Sequence, residues 1–222
     1  MAEQGGGDGA GSRAARLRRR WDREAGVYDR GMSVAERRFF PDVRARACGL
    51  AAGETLEVAI GTGLNLPHYP ADVRDGRLTG VEWSPGMLAL ARRRAAALGA
   101  DVDLRLGDAQ DLDLPDDAFD TVVCTFSLCA VPDHRAALRE MVRVLRPGGL
   151  LVLADHVGST VLPLWALQAL AEVVSVPLAG EHFLRRPVRW VRDAGLAVEH
   201  HERTRAGVIE WVAARTPGRR AR

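Results

Sequence analysis

Short runs of β-branched and aliphatic residues alternate with helix-like segments through the middle of the chain. Five such runs lie at 55–60, 78–82, 102–106, 119–125 and 150–155. The stretches between the runs are long enough for the crossover helices that parallel strands require. The alternation therefore predicts an α/β fold of consecutive βαβ units, with a mostly parallel sheet and helices on both of its faces.

Two of the crossover helices carry clear start and stop signals. Ser84 followed by Pro85 predicts an N-cap and a first helical residue, and the helix is expected to end near Leu98, before Gly99. Asp133 is placed to cap a second helix, which a Pro-Gly-Gly turn should end.

Further elements are predicted on either side of this array. A helix is expected at 187–194, followed by strands at 196–204 and 208–214 that pair in antiparallel fashion around a tight turn. Upstream, residues 14–28 and 33–49 are expected to form helices outside the sheet. The sequence thus predicts seven strands in one sheet.

The length of 222 residues fits one generous domain. Residues 1–12 are rich in glycine and lack the apolar core of a signal peptide, so a flexible leader is expected. Residues 13–215 should form the single domain, with residues 13–50 as its helical preamble. Residues 216–222 are expected to form a basic tail.

Charge and cysteine content argue against several classes of function. The formal net charge of +2 gives no reason to expect a nucleic-acid partner. The chain has no lysine, and its arginines concentrate near both ends, where solvated tails are favoured over a phosphate-binding patch. Cys48, Cys124 and Cys129 show no C-x-x-C spacing, so neither a disulfide framework nor a zinc ribbon is predicted, and a reducing cytoplasm is expected.

The most informative segment is the first strand, which runs directly into a turn containing Gly61 and Gly63. Glycines let the backbone approach a ligand closely, and open α/β sheets bind ligands at the carboxyl ends of their strands. The second strand ends in Glu82, whose carboxylate can accept hydrogen bonds from both hydroxyls of a ribose. A nucleotide site is predicted at this edge of the sheet.

These residues resemble the first motifs of the class I S-adenosylmethionine-dependent methyltransferases. The family has an acidic residue followed by G-x-G-x-G, and this chain has Glu57, Ala59, Gly61 and Gly63 at those positions, with Ala in place of the first Gly. The resemblance extends over residues 54–155. It includes a Gly-Asp-Ala after the third strand, a Phe-Asp that opens the fourth strand and a Leu-Arg-Pro-Gly-Gly before the fifth.

The resemblance implies a Rossmann-like sheet with strand order 3-2-1-4-5-7-6, a last strand that is antiparallel, and S-adenosyl-L-methionine as the cofactor. It implies that the cofactor is bound by Tyr28, Glu57, Ala59, Gly61, Gly63, Glu82, Trp83, Asp108, Ala109 and Thr125. Within this set Glu82 should hold the ribose, Asp108 and Ala109 the adenine, and Glu57 with the glycine turn the methionine end.

Tyr28 belongs to a short pattern, with Trp21 upstream, that is similar to the first helix of methyltransferases acting on quinone precursors and phospholipid amines. An amphipathic helix that packs both rings on the sheet is the open alternative.

His156 is the candidate catalytic residue, because it lies at the carboxyl end of the fifth strand, where the methyl acceptor should sit. A neutral imidazole there could take a proton from the acceptor. A hydrogen-bonded structural role stays open, and a base is needed only if the acceptor must lose a proton. No metal is required.

Residues 157–180 contain a single ionisable side chain, Glu172. This charge, together with Pro163 and Pro177, argues against a membrane span, so one or two apolar helices are expected that cover a pocket or touch a membrane surface. Corresponding segments of the family line the acceptor pocket. Residues 157–195 are therefore expected to form an acceptor-side cover, and the acceptor is expected to be small and lipid-like, quinone-like or an alkyl thiol.

Other assignments fit less well. A dinucleotide dehydrogenase needs a third glycine where this chain has Leu66, and a hydrolase elbow around Ser84 would need glycine in place of Glu82. A cofactor-binding protein without turnover is the alternative from another class. The predicted function is methyl transfer to a small apolar acceptor in the cytoplasm; the acceptor atom and the oligomeric state are not predicted.

Overall fold

The computed structural model describes residues 15–26, 28–31 and 41–218, and its strands form one seven-stranded sheet. The strands are β1 (Thr55–Val58), β2 (Leu78–Glu82), β3 (Val102–Leu106), β4 (Phe119–Thr125), β5 (Leu145–His156), β6 (Ala197–Arg203) and β7 (Ile209–Arg215). Their order is β3-β2-β1-β4-β5-β7-β6. The first five strands are parallel, whereas β7 runs antiparallel to both β5 and β6. The predicted topology is confirmed.

Seven helices accompany the sheet in the described part of the chain. They are α1 (15–26 and 28–31), α2 (Val43–Cys48), α3 (Ala71–Arg74), α4 (Pro85–Leu98), α5 (His134–Val144), α6 (Leu162–Ala179) and α7 (Pro187–Asp193). Of the predicted upstream helices at 14–28 and 33–49, residues 14, 27 and 33–40 lie outside the described residues. The leader at 1–12 and the last four residues of the tail lie outside them as well.

Helix boundaries follow the predicted capping signals. Ser84 caps α4 by accepting a hydrogen bond from the backbone of Met87, and Gly99 ends the helix in a left-handed conformation with φ of 63°. Asp133 caps α5, with its carboxylate accepting bonds from the backbone N–H groups of Arg135 and Ala136. Local sequence signals therefore fix the helices that flank the site described below.

Two strand boundaries differ from the prediction by two residues or more. β1 ends at Val58 rather than at residue 60, because Ala59 takes a left-handed φ of 56° that no strand residue can hold. β5 begins at Leu145 rather than at residue 150, because Leu145 pairs with Phe119 across a register irregularity.

The core lies on both faces of the sheet, as a buried parallel sheet requires. Along β4, Val122 and Cys124 face a cluster that includes Leu138 and Met141 of α5. Between them, Val123 points the other way, into a second cluster with α2 and the segment around Leu66. Alternate side chains thus bury against opposite layers. Cys48 and Cys124 are both buried core residues, in agreement with their small apolar character.

Candidate functional site

A cavity opens at the edge of the sheet where β1, β2 and β4 end. Most of the residues predicted to bind the cofactor line it, namely Tyr28, Glu57, Ala59, Gly61, Glu82, Trp83, Asp108, Ala109 and Thr125. Gly63 and His156 do not line it. The structure therefore brings residues from five separate stretches of the chain to one cavity.

The turn after β1 is held in an unusual backbone conformation. Ala59 and Gly61 both have positive φ values, of 56° and 60°. Such a conformation costs a residue with a side chain about 1 kcal/mol or more, and strain of this kind persists where the surrounding structure enforces it, often at functional sites. Ala59 therefore keeps the backbone geometry that the family motif assigns to glycine.

Gly63 shapes this turn from outside the cavity. Its φ is 80°, and a Cβ atom at this position would lie 3.0 Å from Cδ1 of Leu66 and 3.2 Å from Cα of Ala91 in α4. Glycine here lets the turn pack directly against α4. In this structure, glycine is required at position 63 because the turn packs closely against α4.

Glu82 closes the turn from the end of β2. Its buried carboxylate accepts a hydrogen bond from the backbone N–H of Gly61 at 2.9 Å and another from Ser84 at 2.8 Å. Burial raises the pKa of Glu82 to about 7, although the backbone donors favour its charged form. Each carboxylate oxygen has a second lone pair, so Glu82 can still accept hydrogen bonds from a ligand in the cavity.

Glu57 lies at the bottom of the cavity in a buried polar network. Its Oε1 atom accepts a hydrogen bond from Nδ2 of Asn65 at 2.8 Å, and Asn65 accepts one from Arg44, also at 2.8 Å. Arg44 and Asn65 each donate to the hydroxyl of Thr125 as well. This network joins β1, β4 and α2 beneath the cavity.

The second oxygen of Glu57, Oε2, is buried and has no hydrogen bond of good geometry within the described part of the chain, although the Tyr69 hydroxyl lies near the carboxylate. Burial raises the pKa of Glu57 to about 7, while the nearby Tyr69 hydroxyl, Asn65 and Arg44 favour the charged form. A buried carboxylate oxygen without a full partner is costly, and a cationic or N–H group from a ligand would relieve that cost.

Arg44 and Asn65 carry no motif that could identify them in the sequence. Arg44 is one arginine of a short helix, and Asn65 follows the glycine turn without a spacing rule that marks it. Both residues take part in the site only because the fold brings them within hydrogen-bonding distance of Glu57 or Thr125.

Asp108 stands at the opposite end of the cavity and is exposed. Its Oδ1 atom accepts hydrogen bonds from the backbone and the side-chain amide of Gln110, both at 2.9 Å. The carbonyl of that amide accepts a bond from the backbone of Asp133 at 2.8 Å. Gln110, which the sequence did not identify, therefore ties the loop after β3 to the N-terminus of α5.

Helix α1 closes one side of the cavity. Asp22 accepts hydrogen bonds from the Ser84 hydroxyl at 2.6 Å and from the backbone of Gly86 at 2.9 Å. Trp21 and Tyr28 line the cavity and contact each other edge to face, with ring centroids 6.1 Å apart. The two rings thus face the cavity as well as packing together.

Asp29 makes a second attachment of α1. Its Oδ1 atom accepts a hydrogen bond from the hydroxyl of Thr62 at 2.6 Å, and its Oδ2 atom pairs with Arg94 of α4 at 2.6 Å. Thr62 belongs to the glycine turn, so Asp22 and Asp29 together hold α1 against the turn and against α4.

His156 lies beside the cavity rather than in its wall. Its ring centroid is 5.3 Å from that of Phe126, which does line the cavity. Its Nδ1 atom is 3.9 Å from Oδ1 of the buried Asp155. Its role as a base stays a prediction.

Cys129, Asp155 and His156 could together hold a metal ion, because their ligand atoms lie within 4.8 Å of one another. The Asp155 carboxylate, however, already accepts backbone hydrogen bonds from Cys129 at 3.0 Å and from His156 at 2.7 Å. These two bonds orient the carboxylate and, as at Glu82, leave a second lone pair on each oxygen.

The predicted acceptor-side cover takes no part in this cavity. Residues 157–195 are all described, and none of them lines it. The apolar stretch forms one long helix, α6, rather than two. Whether residues 157–195 border an acceptor stays a prediction.

Comparison with known proteins adds to this geometry. The model of a methyltransferase domain family matches residues 56–153. The chain is 30% identical over 214 residues to demethylmenaquinone methyltransferase from Clavibacter sepedonicus, with 85% of each chain covered. It is 42% identical over 118 residues to phosphatidylethanolamine N-methyltransferase from Cereibacter sphaeroides, a match that covers 52% of this chain and 57% of that protein.

Solved structures share the fold at lower identity. A Thermotoga maritima protein, described as an S-adenosylmethionine-dependent methyltransferase and possible histamine N-methyltransferase, matches with a TM-score of 0.66 and 24% identity, covering 88% of this chain and 98% of its own. The [4+2]-cyclase SpnF matches with a TM-score of 0.63 and 22% identity, covering 80% and 79%. The second protein is named for a cyclisation, so the fold by itself does not define the reaction.

Proposed function

Because the chain belongs to the class I S-adenosylmethionine-dependent methyltransferases, with S-adenosyl-L-methionine as cofactor, we propose that it methylates a small, apolar acceptor. The observation that carries the proposal is the cavity at the carboxyl edge of the sheet, in which two buried carboxylates, Glu57 and Glu82, stand on either side of the glycine turn.

The residues of the cavity fit this cofactor. The incompletely paired Oε2 atom of Glu57 suits the ammonium group of the methionine end, which would supply both a donor and a compensating charge. Glu82 keeps lone pairs for the ribose hydroxyls. The exposed Asp108 and the neighbouring Ala109 are available to the adenine.

When bound, the cofactor supplies an electrophilic methyl group on its sulfonium. The protein's contribution is to fix the geometry and to exclude water, because an in-line displacement depends on the alignment of the reacting atoms. Glu57 would fix the methionine end of the cofactor and Glu82 its ribose, both at the ends of sheet strands, and α1 closes the side of the cavity. Where the acceptor must lose a proton, His156 would take it at a ring nitrogen.

An apolar acceptor is supported by the relatives and by composition. The related proteins are named for demethylmenaquinone and phosphatidylethanolamine, both of which carry long hydrocarbon chains. The segment that follows β5 is mostly apolar along α6, whose one ionisable side chain is Glu172. We propose a lipid-like, quinone-like or alkyl thiol acceptor, and a cytoplasmic enzyme in peripheral contact with a membrane.

The test is a transfer assay with isotopically methyl-labelled cofactor. The purified protein is incubated with demethylmenaquinone, with vesicles of phosphatidylethanolamine and with alkyl thiols, and label is measured in each product. Label in one acceptor, lost in Glu82→Ala, supports the proposal and identifies the acceptor atom. Binding of S-adenosylhomocysteine without transfer to these acceptors or to a lysate metabolite pool would instead indicate a binding protein without turnover.

A further inference from the structure

Helix α6 turns its polar side toward the protein and its apolar side toward solvent. Its polar residues Gln168, Glu172 and Ser175 follow helical spacing and are partly buried against the body of the protein. Only Ala179 of its eighteen residues is fully buried. In a helix on the surface of a water-soluble protein the polar stripe faces solvent and the apolar stripe faces the core.

The inward polar residues fasten α6 to the segments on either side of it. Gln168 accepts a hydrogen bond from the backbone of Ser159 at 2.6 Å and donates one to the carbonyl of Val157 at 3.2 Å. Glu172 accepts a bond from the backbone of Leu184 at 2.7 Å. The helix is therefore held by hydrogen bonds, and these bonds dictate which way its apolar residues point.

The outer face of α6 consists of large apolar side chains that are exposed: Leu162, Leu167, Leu170, Val173, Val174 and Leu178. Leu162, Val173 and Leu170 are 74%, 70% and 68% exposed. A contiguous apolar surface of this length marks an interaction site, since single exposed leucines are common but a row of them is not.

By length and composition α6 could also cross a membrane, and it is the one helix among the described residues of which this is true. A span would place Gln168 and Glu172 in hydrocarbon and break their hydrogen bonds to the protein. A helix with a polar side fixed to protein and an apolar side exposed fits instead the plane of a membrane interface.

Positive charge borders the end of this face. Arg20 of α1 donates a hydrogen bond to the carbonyl of Leu178 at 2.9 Å, so α1 lies against the last turn of α6. Helix α1 also carries exposed arginines, namely Arg16, Arg18, Arg19 and Arg23. Arginines beside an apolar face match the combination of anionic headgroups and hydrocarbon that a bilayer surface offers.

We propose that the outer face of α6 rests on an anionic lipid bilayer, with the arginines of α1 at the level of the headgroups. The inference rests on the proposed function, which it deepens by naming the membrane surface from which an apolar acceptor would come. Helix α1 also supplies Trp21 and Tyr28 to the cavity wall, so the docked surface would lie beside the cofactor cavity.

The test is flotation of the full chain with vesicles of phosphatidylcholine alone and of phosphatidylcholine mixed with phosphatidylglycerol. We expect binding to the anionic vesicles and little binding to the neutral ones. The double variant Leu167→Glu/Leu170→Glu should bind at least roughly tenfold more weakly. Arg18→Glu/Arg19→Glu should weaken binding and reduce its dependence on salt.

Matched variants separate docking from general effects of charge. Leu106→Glu changes an exposed leucine of β3, and Arg93→Glu an exposed arginine of α4. Both should bind vesicles as the wild type does. Retained affinity for S-adenosylhomocysteine shows that each variant is folded.

Three results would overturn the inference. The wild type could fail to bind anionic vesicles. It could form a dimer that Leu167→Glu/Leu170→Glu dissociates without any vesicle binding, which would make the outer face of α6 an interface between two copies. It could resist carbonate extraction from cell membranes, which would make α6 a span. Methyl transfer to a soluble acceptor, measured without vesicles, tests the proposed function separately.

Discussion

Replacing Glu57 by Gln should strengthen the folded protein and weaken cofactor binding at the same time. The change keeps the shape of the side chain and its acceptor for Asn65 but removes a charge that is buried at the bottom of the cavity. A buried carboxylate that serves to bind a ligand lowers the stability of the ligand-free protein, so its removal should raise stability and lower affinity. Removal of a purely structural carboxylate should not raise stability.

The magnitude follows from the pKa of Glu57, which burial raises from 4.5 to about 7. Between these two pH values the folded chain holds a proton that the unfolded chain has released, so stability falls as the pH rises through this interval. The full loss is at most about 3 kcal/mol, and it is complete above pH 7. Glu57→Gln should recover up to this amount at pH 8, a gain of roughly 6 to 12 °C in Tm.

Affinity should change in the opposite direction. A charge-assisted hydrogen bond to the ammonium of the cofactor contributes roughly 1.5–3 kcal/mol, so binding of S-adenosylhomocysteine should weaken about tenfold to a hundredfold. The pKa of Glu82 is also raised to about 7, so the free energy of unfolding of the variant should still fall with pH through the titration of Glu82.

The assay combines thermal unfolding between pH 5 and 9 with calorimetric titration of S-adenosylhomocysteine. Glu210→Gln is the matched control, because Glu210 is a buried carboxylate of β7 outside the cavity. It should leave affinity unchanged. If Glu57→Gln lowers Tm at pH 8 and keeps wild-type affinity, Glu57 is a structural residue and the reasoning fails.

Three further outcomes are expected. Glu82→Ala should weaken S-adenosylhomocysteine binding by at least roughly tenfold in calorimetry, and unchanged affinity would contradict its proposed contact with the ribose. Gly63→Ala should lower the free energy of unfolding by roughly 1–3 kcal/mol, because the added Cβ would meet Leu66. Gly99→Ala is the control, because a Cβ there meets open space and should cost less stability. Equal losses of Tm in the two variants would argue against a packing role for Gly63. His156→Ala should lower turnover but keep cofactor affinity, and turnover within about twofold of wild type from pH 6 to 9 would show that His156 is not the base.

Sequence reasoning succeeded where the determining signal is local. Caps such as Ser84 and stops such as Gly99 act within one turn of helix, so their effect can be predicted from neighbouring residues. The run of β-branched and aliphatic residues that predicts β4 is likewise a property of neighbouring residues. Strand order came from the resemblance, because nothing local to a strand specifies its neighbour in the sheet.

Sequence reasoning failed where residues act over long separations. The contact between Arg44 and Asn65 spans 21 residues, and that between Asn65 and Thr125 spans 60. No periodicity connects such pairs, and their hydrogen-bonding role exists only once β1, β4 and α2 have packed. The bottom of the cavity was therefore predicted only through Glu57 and Thr125, which the family motifs imply.

Composition identified the apolar stretch but did not indicate which side of the helix faces the protein. The spacing of Gln168, Glu172 and Ser175 marks one polar stripe on a helix, and the ordinary expectation turns such a stripe toward water. Tertiary contacts decide otherwise, since Ser159 and Leu184 present backbone N–H groups that only the polar stripe can satisfy. An unpaired buried N–H costs roughly 1–3 kcal/mol, about what one exposed leucine forgoes, so the inverted arrangement is favourable only with a further surface that covers the apolar side of α6.

Helix α1 is where the cavity and the outer face of α6 meet. It buries few apolar side chains, chiefly Leu17 and Ala25, and it is attached largely through Asp22, Asp29 and Arg20. Elements held by exposed polar contacts open at lower free energy than strands in a buried sheet. A bilayer under α6 would therefore act on a wall of the cavity that few apolar contacts hold in place, while the carboxylates at the ends of β1 and β2 would keep their geometry.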